Sequence, residues 1–291
     1  MPRWLSVGYF SRSPGFTYPR LRLHTLGGPG VWLGADILPG TASRRRLVAF
    51  LALVAGHGIN GITRDKLLAY LWPESDAAHG RNSLKQVVFW LRRVLKNPGL
   101  IVATGDVLRL DPSQIRVDAW EFESAIDRGD FRGAIEHYHG PYLDGFHVTG
   151  LGEFDQWSES ERARLARRQD EVLAALAGEA EQAGDRASVV AWWRLRAEAD
   201  PLSTSRALGL MQAMIRAGDP TDALKHFQAH AALVRAELDC LPSKELTALA
   251  ESVNGGTSVL GAISLGLSKA ARLRVGGTPA GWNRRAGAVQ S

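Results

Sequence analysis

One pattern, written three times, constrains this chain more than any other feature. Gly-Asp-x3-(Ala/Val)-x3-aromatic occurs as Gly129-Asp130…Ala134…Tyr138, as Gly184-Asp185…Val189…Trp193 and as Gly218-Asp219…Ala223…Phe227. The last two copies are 34 residues apart. Each copy describes a pair of helices: the chain turns at Gly-Asp, the small residue lets two helices approach, and the aromatic fills the gap between successive pairs. From Val117 to about Val253 the pattern is therefore expected to be helical.

A spacing of 34 residues is the tetratricopeptide period, and Pro201 ends the helix after the second copy, where such repeats place proline. The insert Gly140–Glu153 makes the array irregular, and the Trp-x2-Leu-Gly-x2-Tyr half of the signature is missing. Trp192 and Trp193 are assigned to packing between repeat helices, with one of the pair expected at the surface.

Upstream the pattern differs. Between Asp76 and Lys96, residues Leu84, Val87, Val88, Leu91, Val94 and Leu95 share one side of a helix at about 100° per residue. The other side carries Asn82, Gln86, Phe89 and Arg93, flanked by Arg81, Lys85, Arg92 and Lys96. A solvated helix seldom sets a phenylalanine among amides and cations, whereas a helix lying in a DNA groove can use each of them.

The surroundings fit such a role. Leu21–Leu26 alternates as a half-buried strand, Gly27-Gly28-Pro29-Gly30 turns the chain, and Val31–Leu33 returns. Without Gly-Lys-Ser/Thr, that glycine cluster is a turn and not a phosphate loop. Leu47, Phe50, Leu51 and Val54 predict an amphipathic helix over Thr41–Ala55, ended by Gly56 and Gly58. Arg44, Arg45 and Arg46 sit in its first turn, where the helix dipole disfavours cations, and are candidates for phosphate contacts. Thr63 caps the next helix with Ile62 and Leu67 as a hydrophobic staple, and Pro73 follows its end at Trp72. Asn97-Pro98-Gly99 stops the long helix, and residues 100–110 form a hairpin around Thr104-Gly105-Asp106. Strands, three helices and a closing hairpin are the order of a winged helix-turn-helix, with Asp76–Lys96 as the recognition helix and the hairpin as the wing.

Charge divides the chain at the same place. Residues 41–110 hold eleven Lys/Arg against four Asp/Glu, whereas residues 111–254 hold fifteen against twenty-five. A basic module before an acidic one points to a polyanion for the first and a protein partner for the second. A lone cysteine, Cys240, precludes an internal disulfide and points to the cytoplasm. The start, MPRWLSVGYF, has no apolar h-region, and no apolar run approaches the ~20 residues that span a bilayer, so no membrane association is expected.

The motifs Arg46-Leu47…Leu51-Ala52-Leu53, Arg64-Asp65-Lys66-Leu67…Leu71-Trp72-Pro73, Asn82-Ser83-Leu84…Val88…Leu91-Arg92-Arg93-Val94-Leu95 and Val117-Asp118…Phe122-Glu123 occur in this order. Together they resemble the bacterial transcriptional activators of the antibiotic-regulatory-protein (SARP) type, which join an OmpR-like winged helix to a bacterial transcriptional activator domain. The resemblance covers roughly residues 21–254. It implies sequence-specific binding to promoter repeats, recruitment of RNA polymerase, self-association on DNA and activation in place of repression. Phe89-Trp90 and Gln86 depart from the residues usual in that family, which bears on the operator read and not on the mode of binding. Asp36 is the only acidic residue before Thr41, so phosphorelay control is not expected.

The chain is thus expected to be mainly α with a small β part. Residues 1–20 form a disordered lead and 21–112 a winged-helix DNA-binding domain. A tetratricopeptide-like bacterial transcriptional activator domain occupies 113–254, and 255–291 are a flexible tail. Arg81, Lys85, Arg92, Arg93 and Lys96 suit phosphates, Asn82 and Gln86 suit adenine, Lys85 also suits guanine, and Phe89 suits a thymine methyl. Arg109 on the wing suits a minor-groove or backbone contact. No catalytic, metal or cofactor site is expected: His137 and His139, two apart on a helix, point away from each other, and Cys240 lacks zinc-type partners. The expected setting is the cytoplasm, on the nucleoid. The rival from another class is a tetratricopeptide-type interaction adaptor whose basic module does not bind DNA.

Overall fold

The computed structural model describes residues 21–37, 45–95 and 97–255; the expected lead and tail, Arg44 and Lys96 lie outside the described residues. The chain divides into two compact units, Met1–Leu176 and Ala177–Ser291.

The first unit opens with β1 (Leu21–His24), β2 (Gly30–Leu33) and β3 (Asp36–Ile37), whose inward residues Leu21, Leu23 and Val31 are buried. Gly27 makes the first turn at φ 92°, a backbone angle that glycine adopts without strain. Next come α1 (Arg45–Gly56), β4 (Ile62–Thr63), α2 (Arg64–Leu71) and α3 (Ala77–Val94). The hairpin β5 (Ile101–Thr104) and β6 (Val107–Leu110) follows, then β7 (Ile115–Val117). Thr63 both ends β4 and caps α2, its Oγ1 accepting from the Lys66 amide at 3.3 Å, while Ile62 and Leu67 are buried together. β4 pairs with β6, and β6 with β5, so Leu108 stands between Ile62 and Ala103 in a three-stranded wing. The winged helix read from the sequence is present.

Three features differ from the sequence reading. First, residues 47–55 are buried without a break, so α1 is not amphipathic but enclosed on every side. Its far side is covered from later in the chain: Trp120 Nε1 donates to the Ala55 carbonyl at 2.9 Å and the Tyr142 hydroxyl to that of Ala52 at 3.2 Å. Second, the helical region begins at Asp118, capped by Val117, but the residues leading into it, Ile115–Val117, form an unforeseen strand parallel to β1, Leu21 opposite Ile115, in a sheet of order β3-β2-β1-β7. Third, the Gly140–Glu153 insert laces onto that sheet. The Leu143 amide donates to the Thr25 carbonyl at 2.7 Å, and the Asp144 amide to that of Gly27 at 2.9 Å. The basic module and the first part of the helical region therefore share a compact unit, completed by α4 (Asp118–Asp127), α5 (Phe131–His137) and α6 (Gly152–Gln182) up to Leu176.

In the second unit α7 (Arg186–Ala199), α8 (Thr204–Ala217), α9 (Pro220–Leu238) and a helix over 244–255 stack as the repeat pattern requires. Across both units the Gly-Asp turns share a left-handed glycine, and at two of the three the aspartate side chain caps the next helix, Asp219 being the exception. Gly129, Gly184 and Gly218 hold φ of 73°, 70° and 93°. The carboxylates of Asp130 and Asp185 cap the next helix by accepting from the amides of Gly133 and Ser188, at 3.0 and 3.1 Å. Ala134, Val189 and Ala223 are buried at the helix approach. Trp193 lies so close to α8 that a Cβ on Gly209 would meet its ring at 2.2 Å. Both Trp192 and Trp193 are half-buried. No described helix is long and apolar enough to cross a membrane.

Candidate nucleic-acid interface

α3 begins at Asp76, whose Oδ1 accepts from the amides of Ala78 and His79 at 3.0 and 2.9 Å. The bond from the His79 amide, joined by one from its ring, holds the Asp76 carboxyl below the usual carboxylate range. Leu84 and Leu91 are buried against the unit's core, which turns the opposite stripe outward. Arg81, Asn82, Lys85, Gln86, Phe89, Arg92 and Arg93 are all exposed on it. Phe89 keeps 64% of its surface open and, by helical spacing, runs along the midline of the stripe. Arg81, Lys85 and Arg92 stand to one side of it; Asn82, Gln86 and Arg93 stand to the other.

Each side borders a groove. Towards the wing, a cavity of about 320 Å³ is lined by Arg64, Arg81, Lys85, Phe89 and Arg92 over a floor of Leu84, Val88 and Leu108. Towards α1, a second of about 510 Å³ is lined by Arg46, Gln86, Phe89 and Trp90. Phe89 is thus a ridge between two depressions, one edged by four cations.

The cations are held differently. Arg92 donates to the Ile101 carbonyl at 3.0 Å and ties α3 to the wing. Arg64 donates to the Gly105 carbonyl at 2.6 Å and lies 3.6 Å from the Asp106 carboxylate, pinning the wing tip. Sequence reading left Arg64 out of the site; its place at the start of α2, directly after β4, is the signal that brings it to the wing. The arginines that open α1 diverge: Arg46 joins the α1-side groove, whereas Arg45 donates to the His147 carbonyl at 2.6 Å, with its guanidinium 5.6 Å from the Phe146 ring. Arg109 alternates with the buried Leu108 on β6, so it occupies the face of the wing turned away from the α3 groove and is half-buried there. Among the described residues no group of three or more His, Cys, Asp or Glu could hold a metal ion. His137 instead lies 3.7 Å from the Glu121 carboxylate, and Cys240 is exposed.

Residues 115–254 match the family described as the bacterial transcriptional activator domain. The fold is similar to that of Mycobacterium tuberculosis EmbR, solved in complex with a low affinity phosphopeptide. The TM-score is 0.57 at 20% identity, over 84% of this chain and 70% of that one. No curated protein matches the chain.

Proposed function

We propose that this chain, a SARP-type transcription regulator with a bacterial transcriptional activator domain at 115–254, acts by laying α3 in the major groove of duplex DNA. The observation that carries this reading is the outward stripe of α3, where the exposed Phe89 is bordered by cations on one side and by two amides and Arg93 on the other. In the proposed complex Arg81, Lys85 and Arg93 neutralise phosphates and supply most of the affinity. Asn82 and Gln86 pair with adenine edges, and Phe89 meets a thymine methyl. Arg92 ties the wing to α3 and also neutralises a phosphate, while Arg64 pins the wing tip to the start of α2; both edge the same groove. The role of the helical module, contact with RNA polymerase or with a second copy on adjacent repeats, follows from family likeness.

Genome-wide mapping of bound sites and footprinting of one provide the test. Affinity for that site falls steeply between low and moderate salt. Asn82→Ala or Gln86→Ala costs about 1–3 kcal/mol on the site and relaxes its specificity. Equal loss on all sequences would assign these two residues to the DNA backbone, and absence of duplex binding even at low salt would leave the adaptor reading.

A further inference from the structure

We propose that the cavity between α7, α8 and α9 is a binding site for a small, largely apolar molecule that carries a hydroxyl group. It holds about 410 Å³, within the range of small-molecule sites, and its apolar walls include Leu210, Met214 and Leu233. Two imidazoles one helical turn apart on α9, His226 and His230, also line it. His230 is only 4% exposed, and the Nε2 atoms of both rings are buried with no hydrogen-bond partner among the described residues. Buried polar atoms of native proteins are nearly always satisfied, so each of these calls for an occupant.

The rings restrict what that occupant is. His230 Nδ1 lies 3.0 Å from the Pro201 carbonyl oxygen, which can only accept. Nδ1 therefore carries the hydrogen, and in the neutral ring Nε2 is a bare acceptor. Burial lowers the pKa of His226, assisted by Arg194, which favours the neutral ring, in which Nε2 can carry the hydrogen. A hydroxyl group has a hydrogen for His230 Nε2 and a lone pair for the N–H of His226. A carboxylate leaves the His230 lone pair unmet, and an ammonium group faces Arg194. Only a group that both donates and accepts satisfies the pair, and the apolar walls take the remainder of the molecule. This site requires nothing of the DNA-binding face.

Titration of the full chain with phenol, and in parallel with benzene, tests the assignment by NMR of the imidazole nitrogens. Phenol is expected to shift Nε2 of both histidines saturably and to bind roughly fivefold more tightly than benzene, the worth of about one net hydrogen bond. His226→Phe removes that preference. Ala229→Phe, at an exposed position lining the cavity, blocks entry without disturbing the buried histidine, and decides the matter if the first variant does not fold. A shift that never saturates, equal affinity for the two probes, or phenol binding unchanged in a folded variant would overturn the proposal, the first being the behaviour of a cavity that holds only water.

Discussion

The carboxylate of Asp118 receives three hydrogen bonds from residues 25 and 26, more than ninety positions earlier in the chain. The Thr25 amide and hydroxyl donate at 2.8 and 2.7 Å and the Leu26 amide at 2.9 Å, with the Ala119 amide adding a fourth at 2.8 Å. Only 6% of Asp118 is exposed. It thereby joins the end of β1 to the start of α4. Asp118→Ala leaves buried amides without an acceptor, and a loss on the order of 3 kcal/mol in urea unfolding is expected. Asp118→Asn, which keeps one acceptor oxygen, recovers part of it.

The same joint governs truncation. A fragment ending at residue 112 lacks β7, Asp118 and the Tyr142 hydroxyl, and it uncovers the far side of α1. A fragment ending at Leu176 retains them all and coincides with the compact unit. Only the longer fragment is expected to give a cooperative melt and a dispersed NMR spectrum. Equal cooperativity in the shorter one would show the winged helix to be self-sufficient.

What was legible in the sequence follows the range of the interactions concerned. Caps and turns involve residues a few positions apart, so Thr63 and the Gly-Asp turns were readable directly. The outward stripe of α3 was equally plain, because Phe89 broke an otherwise polar face. Contacts across long separations were not, since periodicity reports that a face is apolar but not what covers it. Trp120 reaches Ala55, 65 residues away, and Arg92 spends a donor on the Ile101 carbonyl; no local pattern announces either. One long-range fact did leave a trace. The unbroken apolar run Leu47–Ala55 exceeds what a one-sided helix needs, since Leu47, Phe50, Leu51 and Val54 by themselves make only one apolar face.

Gly209 tests the packing of the repeat. Alanine there improves helix propensity by about 1 kcal/mol, but its Cβ would meet the half-buried Trp193 ring at 2.2 Å. Overpacking of this kind costs about 1–3 kcal/mol, so Gly209→Ala is expected to lower stability on balance. Combined with Trp193→Leu the clash vanishes. The double-mutant cycle should then show a favourable coupling, and additive losses would place the two residues out of contact.

Acidification should weaken the first unit through His24. Burial lowers its pKa below 6.5, assisted by Arg22 and His139 and opposed by Asp118 and Glu121. A base with a depressed pKa in the folded state binds its proton more readily when unfolded. Its contribution is therefore complete above pH 6.5 and is lost as pH falls through the folded value. Urea midpoints should fall on acidification, and by less in His24→Asn than in the parent. Parallel curves would remove His24 from the linkage.

In the proposed complex the groove between α3 and the wing carries cations that serve DNA alone and cations that also hold the fold. Lys85 is exposed and has no hydrogen bond or ion pair among the described residues, whereas Arg92 is bonded to the Ile101 carbonyl. Lys85→Ala is expected to leave stability within about 0.5 kcal/mol of the parent. On DNA it should weaken binding across all sequences and reduce the magnitude of the salt slope by about 1. Arg92→Ala loses the same phosphate neutralisation and, in addition, about 1 kcal/mol of stability as the wing loosens. Lysine at position 92 separates the two effects: charge is retained, so the salt slope returns, but an ammonium group on a flexible stem replaces the guanidinium fork at Ile101 and recovers less of the stability. Identical melting of all three variants would show that Arg92 serves only DNA, and an unchanged salt slope in Lys85→Ala would take this groove out of the interface.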